Sequence, residues 1–258
     1  MREHDARYER AEEFMQVCYS LWQSWDSDAL VRDPKQPLFA DPAKVHEINF
    51  EGKYFQCRGP AQLPRSPQEI PVLFQAGQSP RGRQFAARHA EGVFTISPDL
   101  PAMQAYYRDV KDRVANEGRR ESDLAILTGI FPIIGSSEAA AKEKYEQLIE
   151  LATAEAGLAW ISGYACYNFA QVPLDTKLSD MDPNDFAGIQ SIFELTMASS
   201  ADAASQTPHL YTYPHVEEPT VRDLCIANAQ SIVPKVVGTV KQVADQLEQI
   251  VDAEGSDG

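Results

Sequence analysis

Between Tyr8 and Trp25 the apolar residues Tyr8, Ala11, Phe14, Met15, Cys18, Leu21, Trp22 and Trp25 recur at helical spacing, with Glu and Arg between them, which predicts an amphipathic helix. From Ala29 to Leu63 that rhythm is lost among Pro and Asp residues. Within this stretch Glu51-Gly52, flanked by Ile48-Asn49-Phe50 and Tyr54-Phe55-Gln56, predicts a hairpin. A new pattern starts at Pro71. The apolar run Val72-Leu73-Phe74 is followed by Gln75-Ala76-Gly77-Gln78 and then Ser79-Pro80, which reads as a strand, a tight loop and a helix with Pro at its first position. The helix is expected to run to about His89.

Further along, Val93-Phe94-Thr95-Ile96 predicts a second strand, and Asp99 with Pro101 opens a helix through Tyr106, Tyr107, Val110 and Val114. Leu124 to Gly135 reads as one long apolar strand, after which Ser136-Ser137-Glu138 caps a helix carrying Ala140, Tyr145, Leu148 and Leu151. Residues 157–219 lose all periodicity apart from a short helical stretch near Ile189, Ile192, Phe193 and Leu195. Regularity returns at Gly238-Thr239, which starts a helix through Val243, Leu247, Ile250 and Val251 that Gly255 is placed to stop. Alternating β and α elements argue for a parallel α/β sheet. Strands at Val72, Val93 and Ile126 fall short of the eight that a closed barrel needs. The expectation is a single incomplete barrel domain over residues 1–258, with 26–70 and 157–219 as insertion or lid segments.

Composition narrows the function. A net charge of -15 over 258 residues opposes phosphate backbones and anionic lipid surfaces, so neither nucleic acid nor a membrane is an expected partner. No apolar run approaches about 18 residues and the opening is polar, which makes the cytoplasm the expected location. Cys18, Cys57, Cys166 and Cys225 are widely spaced and read as buried free thiols. No metal is expected: His4-Asp5 lacks further ligands at suitable spacing, and Asp5 reads as a helix cap. Gly-x-Ser-x-Gly, Walker and Gly-x-Gly-x-x-Gly signatures are absent from the sequence.

The segment with the most chemistry is Ala76-Gly77-Gln78-Ser79-Pro80-Arg81-Gly82-Arg83. It places small residues and a hydroxyl where a strand's carboxyl end meets a helix N-terminus, a geometry that presents backbone N–H groups to a phosphate. The same pattern also describes an ordinary βα turn with a capped helix. Arg81 and Arg83 would either steer a phosphate or pair with the abundant carboxylates. His209 and His215, near Tyr211 and Tyr213, read as surface-loop residues or as the rim of a substrate channel.

Resemblance adds what the pattern leaves open. Pro64-Arg65-Ser66-Pro67-Gln68, Pro71 through Pro80 and Gly82-Arg83-Gln84-Phe85-Ala86-Ala87-Arg88-His89-Ala90-Glu91 closely resemble the luciferase-like flavin monooxygenases, in the branch acting on nitrilotriacetate, dibenzothiophene sulfone and long-chain alkanes. Residues 4–14, 21–25, 41–46 and 237–239 support the match. The resemblance implies a partial TIM (β/α)8 barrel in an enzyme that takes reduced FMN from a separate flavin reductase. With O2 as co-substrate, it oxygenates a small or medium organic molecule. It further implies that Tyr8, Ala76, Gly77, Gln78 and Ser79 contact the FMN phosphate, that Phe94 lines the substrate pocket, and that the full-length enzyme is a homo-oligomer. No catalytic residue is implied. Two departures stand out: Val240 replaces a family Pro, and the family's first four strands and last strand have no counterpart, which points to a fragment inactive alone. A deazaflavin-dependent oxidoreductase of the same fold and a non-catalytic partner subunit are the alternatives.

Overall fold

The computed structural model describes residues 4–165, 167–182, 209–211 and 216–258. The helical stretch expected near Ile189, together with Cys166, Tyr213 and His215, lies outside them. The chain divides into two compact units, residues 1–73 with 80–85 and residues 74–79 with 86–258.

In the first unit helix α1 spans His4–Trp22, three residues short of the expected end. Trp25 instead joins an isolated antiparallel bridge with Val45, and its indole Nε1 donates to the Ala61 carbonyl at 2.9 Å. The hairpin is present, but its turn is longer than Glu51-Gly52. Strands β1 (Phe50–Glu51) and β2 (Gln56–Cys57) pair Phe50 with Cys57 and Glu51 with Gln56, leaving residues 52–55 as the turn. The cause lies on α1. The Glu13 carboxylate accepts the backbone N–H groups of both Tyr54 and Phe55 at 2.7 Å, which holds those residues out of the ladder. A Cβ at Gly52 would meet the same carboxylate, which would have to move.

The second unit carries the two three-stranded sheets. Strands β3 (Phe74–Gln75), β4 (Gly92–Thr95) and β5 (Ala125–Thr128) form one parallel sheet in that order. Helix α2 (Pro80–His89) links β3 to β4, and α3 (Leu100–Asn116) links β4 to β5. Ala86, Ala87, Val93, Ile126, Tyr106, Val110 and Val114 close a core between sheet and helices. Asp99 caps α3 by accepting the Ala102 N–H at 2.9 Å.

The apolar run from Leu124 to Gly135 is two strands, not one. β6 (Phe131–Ile134) leaves β5's sheet and pairs parallel with β8 (Lys235–Gly238), to which β7 (Leu210–Tyr211) adds antiparallel. The change of partner falls at Gly129, whose N–H still reaches the Thr95 carbonyl and over which the Phe94 ring lies so closely that a Cβ would sit 2.9 Å from its tip. β8 is a parallel strand beyond the three expected. It escapes a reading by hydrophobicity because only Val236 and Val237 are apolar, while the buried Lys235 reads as a loop residue.

Helix α4 (Glu138–Glu150) is capped by Ser137 as expected. Leu151, read as part of its apolar stripe, is exposed. Helices α5 (Ala154–Ala165) and α6 (Val221–Ala229) were not anticipated, and α5 replaces the start of the loose region. Gly157 explains the pairing, since a Cβ there would strike the Cys225 carbonyl and only glycine lets the two backbones touch. Helix α7 (Val240–Asp252) begins with a reciprocal Thr239–Gln242 cap. At its end Glu254, not Gly255, takes the left-handed conformation (φ 57°), and the Gly255 N–H returns to the Ile250 carbonyl at 2.8 Å. Of the cysteines described, all free, Cys225 is buried as expected, whereas Cys18 and Cys57 are only half-buried. Burial pushes the Cys225 thiol up to about 11, which keeps it a protonated packing group. No described helix is long and apolar enough to cross a membrane.

Candidate functional site

The loop leaving β3 is held from below at two points. The Tyr106 hydroxyl, buried on α3, donates to the Gly77 carbonyl at 2.7 Å. Because the peptide unit is planar and trans, tying that carbonyl inward turns the Gln78 N–H to the opposite side. The Gln78 side chain is fixed as well: its Nε2 donates to Thr95 Oγ1 at 2.7 Å and to the Ile96 carbonyl at 2.8 Å, both at the carboxyl end of β4. The loop is thus a preorganised piece of backbone on a parallel strand's carboxyl end, where ligands of α/β sheets bind.

Above it opens a cleft of about 660 Å3. Ala76, Gly77 and Gln78 form one wall together with Phe94 and Ile96, while α5 and α6 and the residues after α6 form the others. Phe94 alternates outward between the buried Val93 and Thr95 of β4 and keeps 45% of its surface, which is why its ring reaches the cleft. The size and mainly apolar lining suit a drug-sized organic molecule. Ser231, which lines the cleft just past α6, stands in the left-handed region (φ 68°), and its carbonyl receives the Lys235 ammonium at 2.5 Å. Burial pulls Lys235 down to about 8.

Similarity to known proteins gives these features a family. The luciferase-like monooxygenase family matches residues 1–257. The chain belongs to that family. Dibenzothiophene-sulfone monooxygenase of Rhodococcus erythropolis is 40% identical over 258 residues, covering 99% of this chain and 54% of that protein. Component A of the nitrilotriacetate monooxygenase of Aminobacter aminovorans is 35% identical, over 99% of this chain and 54% of that one. Among solved structures, riboflavin lyase with modified FMN and riboflavin superposes with a TM-score of 0.78 at 28% identity, over 100% of this chain and 53% of that one. The chain therefore spans about half the length of the curated luciferase-like relatives it matches, and its sheets are a partial (β/α)8 barrel, not closed among the described residues.

Of the residues expected to bind a cofactor, Ala76, Gly77 and Gln78 share the cleft wall with Phe94. Ser79, next in the chain, is not on that wall. Tyr8 belongs to the first unit, where its ring packs on Phe85 at 5.7 Å and lies under the Arg81 guanidinium. Arg81 also meets the Glu12 carboxylate at 3.4 Å, the carboxylate pairing that the sequence left open. Residues that sequence reasoning missed are Tyr106, Trp160, Tyr164 and Asn228. Tyr106 had one usable signal: a tyrosine at a core position of a helix needs a partner for its hydroxyl.

Proposed function

We propose that the chain forms the cofactor-holding part of a monooxygenase that uses reduced FMN, supplied by a flavin reductase, and O2 to oxygenate an organic molecule. One observation carries this reading. In a member of the luciferase-like family, the Ala76–Ser79 loop lies at a parallel strand's carboxyl end with the Gly77 carbonyl tied inward and the Gln78 N–H turned the other way. Such a main-chain surface, beside the first turn of α2, fits an oxyanion.

The reduced flavin supplies the oxygen-activating electrons. The protein's part is to bind and orient. Gly77 lets the phosphate approach the backbone, Gln78 keeps the loop anchored to β4, and Ser79 is proposed to donate to the phosphate. Tyr8 is assigned to the same phosphate on the strength of the family resemblance. Phe94 and the apolar walls exclude water from the reaction.

Anaerobic titration of the chain with reduced FMN tests the reading. Saturable binding that weakens by about tenfold or more in Gly77→Val and in Ser79→Ala, a loss of roughly 1.4 kcal/mol or more, is the expected result. No binding to the unmodified chain would overturn the reading in favour of a non-catalytic partner subunit.

A further inference from the structure

One wall of the cleft rests on a residue that does not line it. Phe94 in β4 and Ile96 just after it are the two large apolar residues of the wall beside the Ala76–Gln78 loop, and both lean over Gly129, just past β5. A Cβ there would stand 2.9 Å from the tip of the Phe94 ring and 3.6 Å from Ile96 Cγ1. The first is a collision and the second an ordinary contact. Gly129 is outside the left-handed region, so its backbone accommodates any side chain and only the space above it is at stake.

An added side chain would push in one direction. The Gly129 N–H donates to the Thr95 carbonyl at 2.9 Å. From the other flank Gln78 Nε2 donates to Thr95 Oγ1 at 2.7 Å and to the Ile96 carbonyl at 2.8 Å. The backbone that carries Phe94 and Ile96 is therefore pinned on both sides, and a side chain yields before it does. Phe94 keeps 45% of its surface free and lines the cleft, so its ring would lift away from Gly129 into the cavity. With glycine in place the ring lies down and the cavity is deep.

We propose that Gly129 determines which sizes of ligand this cleft admits: it opens the room for a flat, apolar molecule of three fused rings, and a side chain in its place closes that room by raising Phe94. Calling that molecule the substrate rests on the flavin reading above; the size limit itself does not.

Quinoline and acridine are flat heteroaromatics with one ring nitrogen each, the first of two fused rings and the second of three. Their affinities for the full chain are measured without flavin, at a pH where both are neutral, by quenching of tryptophan fluorescence. Acridine is expected to bind about tenfold more tightly than quinoline, what burying one further ring of roughly 60 Å2 is worth. Gly129→Val should bring that ratio to about one by weakening acridine alone. In a Phe94→Ala background the same substitution should leave the ratio unchanged, because the ring it would raise is gone. Neither probe binding, a ratio of about one in the unmodified chain, or a ratio that Gly129→Val leaves intact would overturn the proposal. An equal fall with and without Phe94 would overturn it too, since the substitution would then act through the fold. Should Gly129→Val fail to fold, the smaller Gly129→Ala must still lower the ratio, and no change there sinks the idea. Reduced FMN binding with no effect of Gly129 on the ratio sinks this proposal alone; the expected ratios without FMN binding sink the flavin reading alone.

Discussion

The Tyr106 hydroxyl is the residue on which the loop's geometry turns. Its bond to the Gly77 carbonyl is buried, so removing the donor strands an acceptor out of water and costs about 1–3 kcal/mol. Tyr106→Phe keeps the ring in its core position and isolates that loss. The expected outcome is a drop in urea stability of that order together with weaker binding of reduced FMN, because the freed peptide no longer holds the Gln78 N–H in one direction. Unchanged flavin affinity alongside the stability loss would confine Tyr106 to packing. At this scale the sequence was legible where a residue's role is local. Gly77 and Asp99 could be read from their neighbours in the chain, but Tyr106 acts across 29 positions and Asn228 reaches the cleft through a fold that no spacing in the sequence reveals.

Among the elements, helices and strands announced by caps or long apolar runs were legible, whereas those built by tertiary contact were not. α3, α4 and α7 each open on a capping side chain, and sequence pattern found all three. α5 opens in a run of Ala and Gly that reads as loose chain, and its helicity depends on packing against α6. The short β8 is hidden by Lys235 at its start, and the single run from Leu124 to Gly135 concealed a change of sheet that only the neighbouring strands impose. Gly157→Ala tests the α5–α6 pairing. An added methyl forces the two backbones apart, and an overpacked contact of this kind costs roughly 1–3 kcal/mol. Thermal denaturation should show that loss, whereas Gly163→Ala on the same helix, with open space around its Cβ, should be neutral or stabilising.

For the molecule as a whole, a buried ammonium on β8 and a hydrogen-bonded carboxylate at the end of the chain each make stability respond to pH. At the end of the chain the Asp257 carboxylate accepts from Lys111 Nζ and the Ile126 N–H at 2.7 Å and from the Tyr107 hydroxyl at 2.9 Å, tying the last residues to β5 and α3. Burial works against its charge, but these three donors more than offset it and hold the carboxyl below its ordinary value. A lowered acid stabilises the fold fully above the unfolded value of about 4 and loses that contribution as pH falls through the folded one. Lys235 acts at the other end of the scale. Burial lowers it to about 8, so between roughly 8 and the unfolded value near 10.4 the unfolded chain holds more protons, and this group's share of stability rises with pH. Below 8 the folded protein carries the full desolvation penalty, on the order of 1–3 kcal/mol. Lys235→Met, which keeps the apolar stem and drops the ammonium, should therefore raise urea stability at pH 7 and leave it little changed near pH 10.5, while Asp257→Asn should lower stability at pH 7 and converge with the unmodified chain as the pH falls through the lowered folded value. A constant difference between Lys235→Met and the unmodified chain across pH 7 to 10.5 would mean that Lys235 stays charged in the fold, with the Ser231 carbonyl and solvent together holding its ammonium.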